Sequence, residues 1–275
     1  MNMKKNKLKI GVVTGSRADY GLLKELIEIL FRETSIEFKL FVTGSHLSPE
    51  FDITCKFIEQ DGFLITDKIE MLLSTDTRFG VSKSVGLGVI SFTESFKTHP
   101  LDYLIVLGDR YEIFAATQAA MFLNIKIAHI HGGEITEGVI DDNIRHAISK
   151  MSNVHFVSAE DYRKRLIRMG EAPNTVFNVG APSLDTINKM KFISLKELTE
   201  KFNIKLNKYL FLVTFHPLTL NIDDYSIGLR EIFSSLKNFS NSTIIFTSSN
   251  SDPGGREITK KIQNFSQNFD NIYVF

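Results

Sequence analysis

Short apolar runs alternate with segments of helical period from the first residues of the chain, and this alternation restricts its fold more than any other feature. The runs Leu8–Val13, Phe38–Val42, Leu64–Ile69, Tyr103–Leu107, Lys126–Ile130, Val154–Val157 and Val176–Val179 have the length of strands. Between them apolar residues recur at helical spacing, as in Leu22, Leu23, Leu26, Ile27 and Leu30. Ser48-Pro49 carries a helix-start signature, a capping hydroxyl followed by proline at the first helical position. Strands that are apolar throughout, rather than at every second residue, are buried on both faces. The expected architecture is α/β, with a doubly wound parallel sheet between two helix layers.

After Gly180 the rhythm changes. Residues 181–208 read as a connecting helix or linker, and the pattern then restarts. Tyr209–Thr214 and Thr243–Thr247 are expected as strands, with Asp224–Leu236 and Gly255–Phe265 as helices. Asn271–Phe275 begins a third strand, where the chain stops. The expected organisation is a domain over 1–180, a linker over 181–208 and an incomplete second domain over 209–275, whose last strand has no helix to cover it.

Composition narrows the partners. With 32 Lys plus Arg against 32 Asp plus Glu, the chain has no bulk attraction for nucleic acid or an anionic membrane, so an anionic ligand must be held by a few placed residues. The single cysteine, Cys55, excludes an intrachain disulfide and fits a reducing compartment. No apolar stretch approaches the roughly 20 residues of a membrane span. Thr14, Gly15 and Arg17 interrupt the first apolar run, unlike a signal peptide. A soluble, cytoplasmic protein is expected.

In parallel α/β sheets ligands bind beyond the carboxyl ends of the strands. The loop from Thr14 to Gly21 follows the first strand, and there Arg17 and a helix N-terminus suit a phosphate. It equally suits a tight turn in which Asp19 caps the helix and pairs with Arg17. Gly108-Asp109-Arg110-Tyr111-Glu112 sets a carboxylate beside a cation, or a helix cap beside a surface arginine. The richest loop runs His129-Ile130-His131-Gly132-Gly133-Glu134, followed by Asp141-Asp142-Asn143-Ile144-Arg145-His146. Strand periodicity puts His129 and His131 on one face, and the glycine pair turns Glu134 back toward them. Ile140, Ile144, Ala147, Ile148 and Met151 mark the core side of the following helix, with Arg145 in pairing range of Asp141. Such a cluster can bind a metal or form an acid/base group. His216, in Thr214-Phe215-His216-Pro217, and Asn250 end strands of the second domain.

Taken in order, T-G-S-R-A-D-Y-G, G-D-R-Y-E, H-I-H-G-G-E, I-D-D-N-I-R-H-A-I-S-K and T-F-H-P-L-T resemble the hydrolysing UDP-N-acetylglucosamine 2-epimerases that open sialic- and legionaminic-acid type biosynthesis. The resemblance implies two Rossmann-like domains in the glycosyltransferase-B arrangement with the active site between them, and a homo-oligomer. It also implies that a nucleotide sugar loses its nucleoside diphosphate by elimination and that the resulting glycal is hydrated with inversion at C2. No nicotinamide or other cofactor is implied, and no metal. Motif by motif, it makes Asp109, Glu134, Asp141 and Asp142 candidate proton-transfer carboxylates. Arg17, Arg110 and His216 become diphosphate or transition-state contacts, Asp19 a further substrate contact, Asn250 a nucleotide contact, and Arg145 the group that orients the aspartate pair. Many members read H-I-E-G-G-E, with a catalytic glutamate where this chain has His131. The histidine version is associated with enzymes of diacetamido sugars carried on UDP or GDP. The family continues for roughly another hundred residues with a serine-rich diphosphate loop, so this chain alone is expected to bind nucleotide poorly. Alternatives are a non-hydrolysing 2-epimerase, a metal-dependent hydrolase using His129 and His131, and a silent nucleotide-sugar-binding fragment.

Overall fold

The seven apolar runs of the first domain pair as one parallel sheet. In chain order they are β1 (Leu8–Thr14), β2 (Ile36–Thr43), β3 (Asp67–Ile69), β4 (Tyr103–Leu107), β5 (Lys126–Ile130), β6 (Val154–Val157) and β7 (Val176–Asn178). Across the sheet they lie β3-β2-β1-β4-β5-β6-β7. The order reverses between β1 and β4, the switch point at which doubly wound sheets leave room for ligands. The computed structural model describes residues 7–75, 77–216, 225–248 and 255–275. Two compact units divide the chain: Met1–Thr75 with Phe79–Met190, and Asp76–Arg78 with Lys191–Phe275.

Burial explains why the strands are apolar throughout. Val13, Phe41, Leu104, Val106 and Ile127 enter one core with Phe92, Phe96, Ala115, Ala119 and Ile148. Their neighbours Val12, Leu40, Val42, Ile105, Leu107, Ala128 and Ile130 enter another with Leu23, Ile27 and Ile58. The helices that cover the sheet are α1 (Arg17–Arg32), α2 (Cys55–Gln60), α3 (Arg78–Thr98), α4 (Tyr111–Phe122), α5 (Ile140–Met151) and α6 (Glu160–Arg168). Each fully buried Phe, Leu or Ile contributes about 2–3 kcal/mol, so both cores are large enough to hold the strand ends rigidly. Phe41 and Phe96 meet edge to face at 5.3 Å.

Three expectations are corrected. The run Leu64–Ile69 is regular strand only from Asp67: at Thr66 the amide donates to the Leu40 carbonyl at 2.8 Å, but the Leu40 amide is taken by the Thr66 hydroxyl at 3.0 Å, and Leu64 is exposed. Ser48-Pro49 opens a single 3-10 turn, Pro49–Phe51, which ends where Asp52 and Ile53 adopt positive φ; α2 starts only at Cys55. The 181–208 stretch contains two helices, α7 (Pro182–Lys189) and α8 (Leu195–Phe202). The former belongs to the first unit and is tied to α1 by Lys189–Glu25 at 2.5 Å.

In the second unit β8 (Tyr209–Val213), β9 (Ser242–Phe246) and β10 (Ile272–Val274) form a parallel sheet ordered β10-β9-β8. With α9 (Tyr225–Leu236) and α10 (Gly255–Ser266) they enclose Leu229, Ile244, Phe246, Ile258 and Ile262. Phe233 stacks on Phe265 at 4.1 Å. Among the described residues, no helix is long and apolar enough to cross a membrane.

Candidate active site

The carboxyl end of β5 sets the chemistry. His129, still in the strand, is buried and spends both ring nitrogens: Nε2 lies 2.7 Å from the Gly108 carbonyl and Nδ1 3.0 Å from the Ser149 hydroxyl. A carbonyl only accepts, so Nε2 carries the proton, while Nδ1 faces the Ser149 hydroxyl, whose single proton lies between Nδ1 and the Arg145 carbonyl, each 3.0 Å away. Burial, reinforced by the charges of Arg145 and the neighbouring histidines, pushes the His129 pKa down to about 3, so the ring is neutral. Neither nitrogen is left for a metal. Among the described residues, no three His, Cys, Asp or Glu side chains are placed to hold one.

His131 does not continue the alternation that was expected to place it beside His129. Its amide still bonds to Phe156 at 3.0 Å, but its φ of 65° is left-handed, an uncommon conformation outside glycine that clusters at functional sites. Gly133 then turns the chain with φ of 80°, and a Cβ there would lie 2.6 Å from the Tyr162 carbonyl, so only glycine fits. This turn returns Glu134 to His131, as the sequence indicated, with Oε1 2.6 Å from Nδ1. The Ser158 hydroxyl, just past β6, donates to the same oxygen at 2.8 Å. Partial burial works to raise the Glu134 pKa, but the hydrogen bonds from His131 and Ser158 and the charges of His131 and Arg145 outweigh it and hold the carboxyl below its usual range. An ionised carboxylate can only accept, so His131 Nδ1 is the donor. Its Nε2 makes no hydrogen bond with a described residue.

Arg145 joins two further strand-end groups. From α5 its buried guanidinium pairs with Asp109 at the end of β4 and lies 3.5 Å from Asp142, with Thr136 Oγ1 at 3.0 Å. The Thr136 amide donates to Asp142 at 2.9 Å, and His146 Nε2 stands 3.7 Å from the same carboxylate. Asp109 is therefore no helix cap; Arg110 occupies that position of α4, without a side-chain cap bond. Asp141 shares the first turn of α5 with Asp142. Ile140, expected on the core side of that helix, is exposed.

Arg110 forks onto Glu112, with Nε–Oε2 at 3.2 Å and Nη2–Oε1 at 3.3 Å. Full burial raises the Glu112 pKa, against the opposing charge of Arg110. At the end of β1, Asp19 closes a capping box with Ser16. Its carboxylate also accepts from Gly15 N at 2.8 Å and Thr14 Oγ1 at 3.0 Å. The latter hydroxyl lies 3.0 Å from His46 Nε2. Asp19 is thus fully engaged in its own turn. Arg17 is exposed and pairs with no described residue. His216, exposed, follows β8 in the second unit. Asn250 lies outside the described residues.

Ser158 and Thr136 were not identified from sequence, since lone hydroxyl residues in loops carry no pattern; Ser149 lies in α5, inside the motif I-D-D-N-I-R-H-A-I-S-K but with no role read from it. Glu112 did leave a signal, the single charged residue in the stretch YEIFAATQAAMF.

Comparisons with known proteins bear on the fold and the family. The family described as UDP-N-acetylglucosamine 2-epimerase matches residues 28–275. A "GDP/UDP-N,N'-diacetylbacillosamine 2-epimerase (hydrolyzing)" of Campylobacter jejuni is 39% identical over 97% of this chain and 71% of its own length. A "UDP-N,N'-diacetylbacillosamine 2-epimerase (hydrolyzing)" of Legionella pneumophila is 38% identical over 94% and 68%. The solved UDP-GlcNAc 2-epimerase of Neisseria meningitidis, bound to UDP-GlcNAc, superposes with a TM-score of 0.80 at 19% identity, over 98% of this chain and 72% of that one. A doubly wound sheet with polar groups gathered at its carboxyl edge, a family match over most of the chain and relatives of this similarity lead to one conclusion: the chain belongs to the UDP-N-acetylglucosamine 2-epimerase family.

Proposed function

We propose that the protein is a hydrolysing 2-epimerase that takes a nucleotide-linked diacetamido sugar of the N,N'-diacetylbacillosamine type, on UDP or GDP, and releases the nucleoside diphosphate and the free C2-inverted sugar. The observation that carries this reading is the His131–Glu134 dyad, with its bare Nε2, on the same strand-end edge as the Arg145-bridged carboxylates Asp109 and Asp142. The names of the relatives at 38–39% identity support the diacetamido sugar.

In the first step a base takes the C2 proton, the C–H electron pair becomes the C1=C2 bond, and the C1–O bond to the diphosphate breaks with its electrons leaving on oxygen. In the second, water adds its oxygen to C1 and a proton reaches C2 from the opposite face. His131 Nε2 serves as the proton acceptor, because Glu134 both orients the ring and balances the imidazolium that forms. Asp109 and Asp142, held by Arg145, and Asp141 supply the second proton-transfer group. Arg17 and Arg110 neutralise charge on the leaving diphosphate. The enzyme acts as a cytoplasmic homo-oligomer without a cofactor.

Incubation with UDP- and GDP-linked N,N'-diacetylbacillosamine and with UDP-N-acetylglucosamine tests this directly. Free nucleoside diphosphate together with the C2-inverted sugar is expected from a diacetamido substrate. An epimerised sugar that stays attached to its nucleotide favours a non-hydrolysing enzyme.

A further inference from the structure

We propose that Ser158 is a positioning residue for proton transfer at His131, acting through Glu134; this rests on the reading of His131 given above. Ser158 comes from the end of β6 and reaches a dyad built at the end of β5. Its hydroxyl donates to Glu134 Oε1, the oxygen that also receives His131 Nδ1–H. Two donors on one oxygen fix both the torsions of the carboxylate and the share of its charge that falls on the imidazole.

The geometry makes the tether consequential. Glu134 sits on the far side of a Gly-Gly turn, its side chain partly exposed, and its described hydrogen bonds are those from His131 and Ser158. Remove the hydroxyl, and a side chain with three free torsions is held by the imidazole alone. The carboxylate then samples orientations that no longer receive the Nδ1 proton, and the ring loses the partner that fixes its tautomer and alignment, while no group that contacts substrate in the proposed reaction has changed.

The test uses the full chain labelled with 15N-histidine, as wild type, Ser158→Ala and Ser158→Thr, the last restoring a hydroxyl. Ring 15N shifts of His131 report its tautomer and its protonation across the pH range without reference to activity, and kcat and KM are measured on the same samples. Wild type is expected to show the Nδ1–H tautomer. Ser158→Ala should mix the tautomers and lower kcat about tenfold with KM nearly unchanged. Ser158→Thr should restore both. An unaltered His131 signal in Ser158→Ala overturns the proposal whatever the activity does. A changed signal with an unchanged kcat overturns instead the role given to His131, and with it the catalytic half of the proposal.

Discussion

Acid should unfold this protein partly through His129, and the size of the effect can be worked out. Folded, the ring titrates near pH 3 because burial excludes its charged form; unfolded, it titrates near its ordinary value of about 6.5. Between those limits the unfolded chain binds a proton that the folded chain does not, so stability is complete above about pH 6.5 and falls as pH falls. From pH 7 to pH 5 the loss from this residue alone is about 2 kcal/mol. His46 and His155 are also lowered chiefly by burial and add to it in the same sense. The perturbation is His129→Gln, which retains a donor for the Gly108 carbonyl and cannot titrate. Urea denaturation followed by far-UV circular dichroism at both pH values gives the comparison. The variant should be weaker than wild type at pH 7 by about 1 kcal/mol for the lost Ser149 contact, yet lose about 2 kcal/mol less on acidification. Equal acid sensitivity in the two proteins would refute the claim that a neutral His129 supports the β5 edge.

Other perturbations separate scaffold from site. Asp19→Ala strands the amides of Gly15 and Ser16 in a buried turn, and a loss of about 2–3 kcal/mol is expected; a thermal melt checks it, and an unchanged melt with a raised KM would return Asp19 to substrate binding. Arg145→Lys keeps the charge but cannot span Asp109, Asp142 and Thr136 together, so kcat should fall at least about tenfold; steady-state rates decide. Chelation with EDTA should leave turnover unchanged, since both nitrogens of His129 are already engaged; loss of turnover that zinc restores would revive the metal-dependent alternative.

The strands were legible because their physics is local. Tyr103–Leu107, Lys126–Ile130 and Val154–Val157 appear with the bounds their apolar runs suggest, the first two sending residues of both faces into opposite cores. The site was legible as a list of residues but not as a set of contacts. Glycine spacing announced the return of Glu134 to His131. Nothing in a periodic strand announces the positive φ that parts His131 from His129. Arg145 was expected beside Asp141 from helical spacing; the structure sets it against Asp142 and against Asp109, the latter 36 residues away. That contact depends on β4 and β5 being neighbours in the sheet. Side chains that meet across strand ends depend on register and topology, which single-residue signals do not encode.

In the proposed reaction the carbon-bound proton at C2 is removed and then replaced. Turnover of the UDP- or GDP-linked diacetamido sugar in D2O, with the released sugar read by NMR, tests it most directly. One deuterium at C2 of an inverted free sugar is expected alongside free nucleoside diphosphate, and none of this with His131→Ala. A released sugar that retains its original hydrogen at C2 would contradict it.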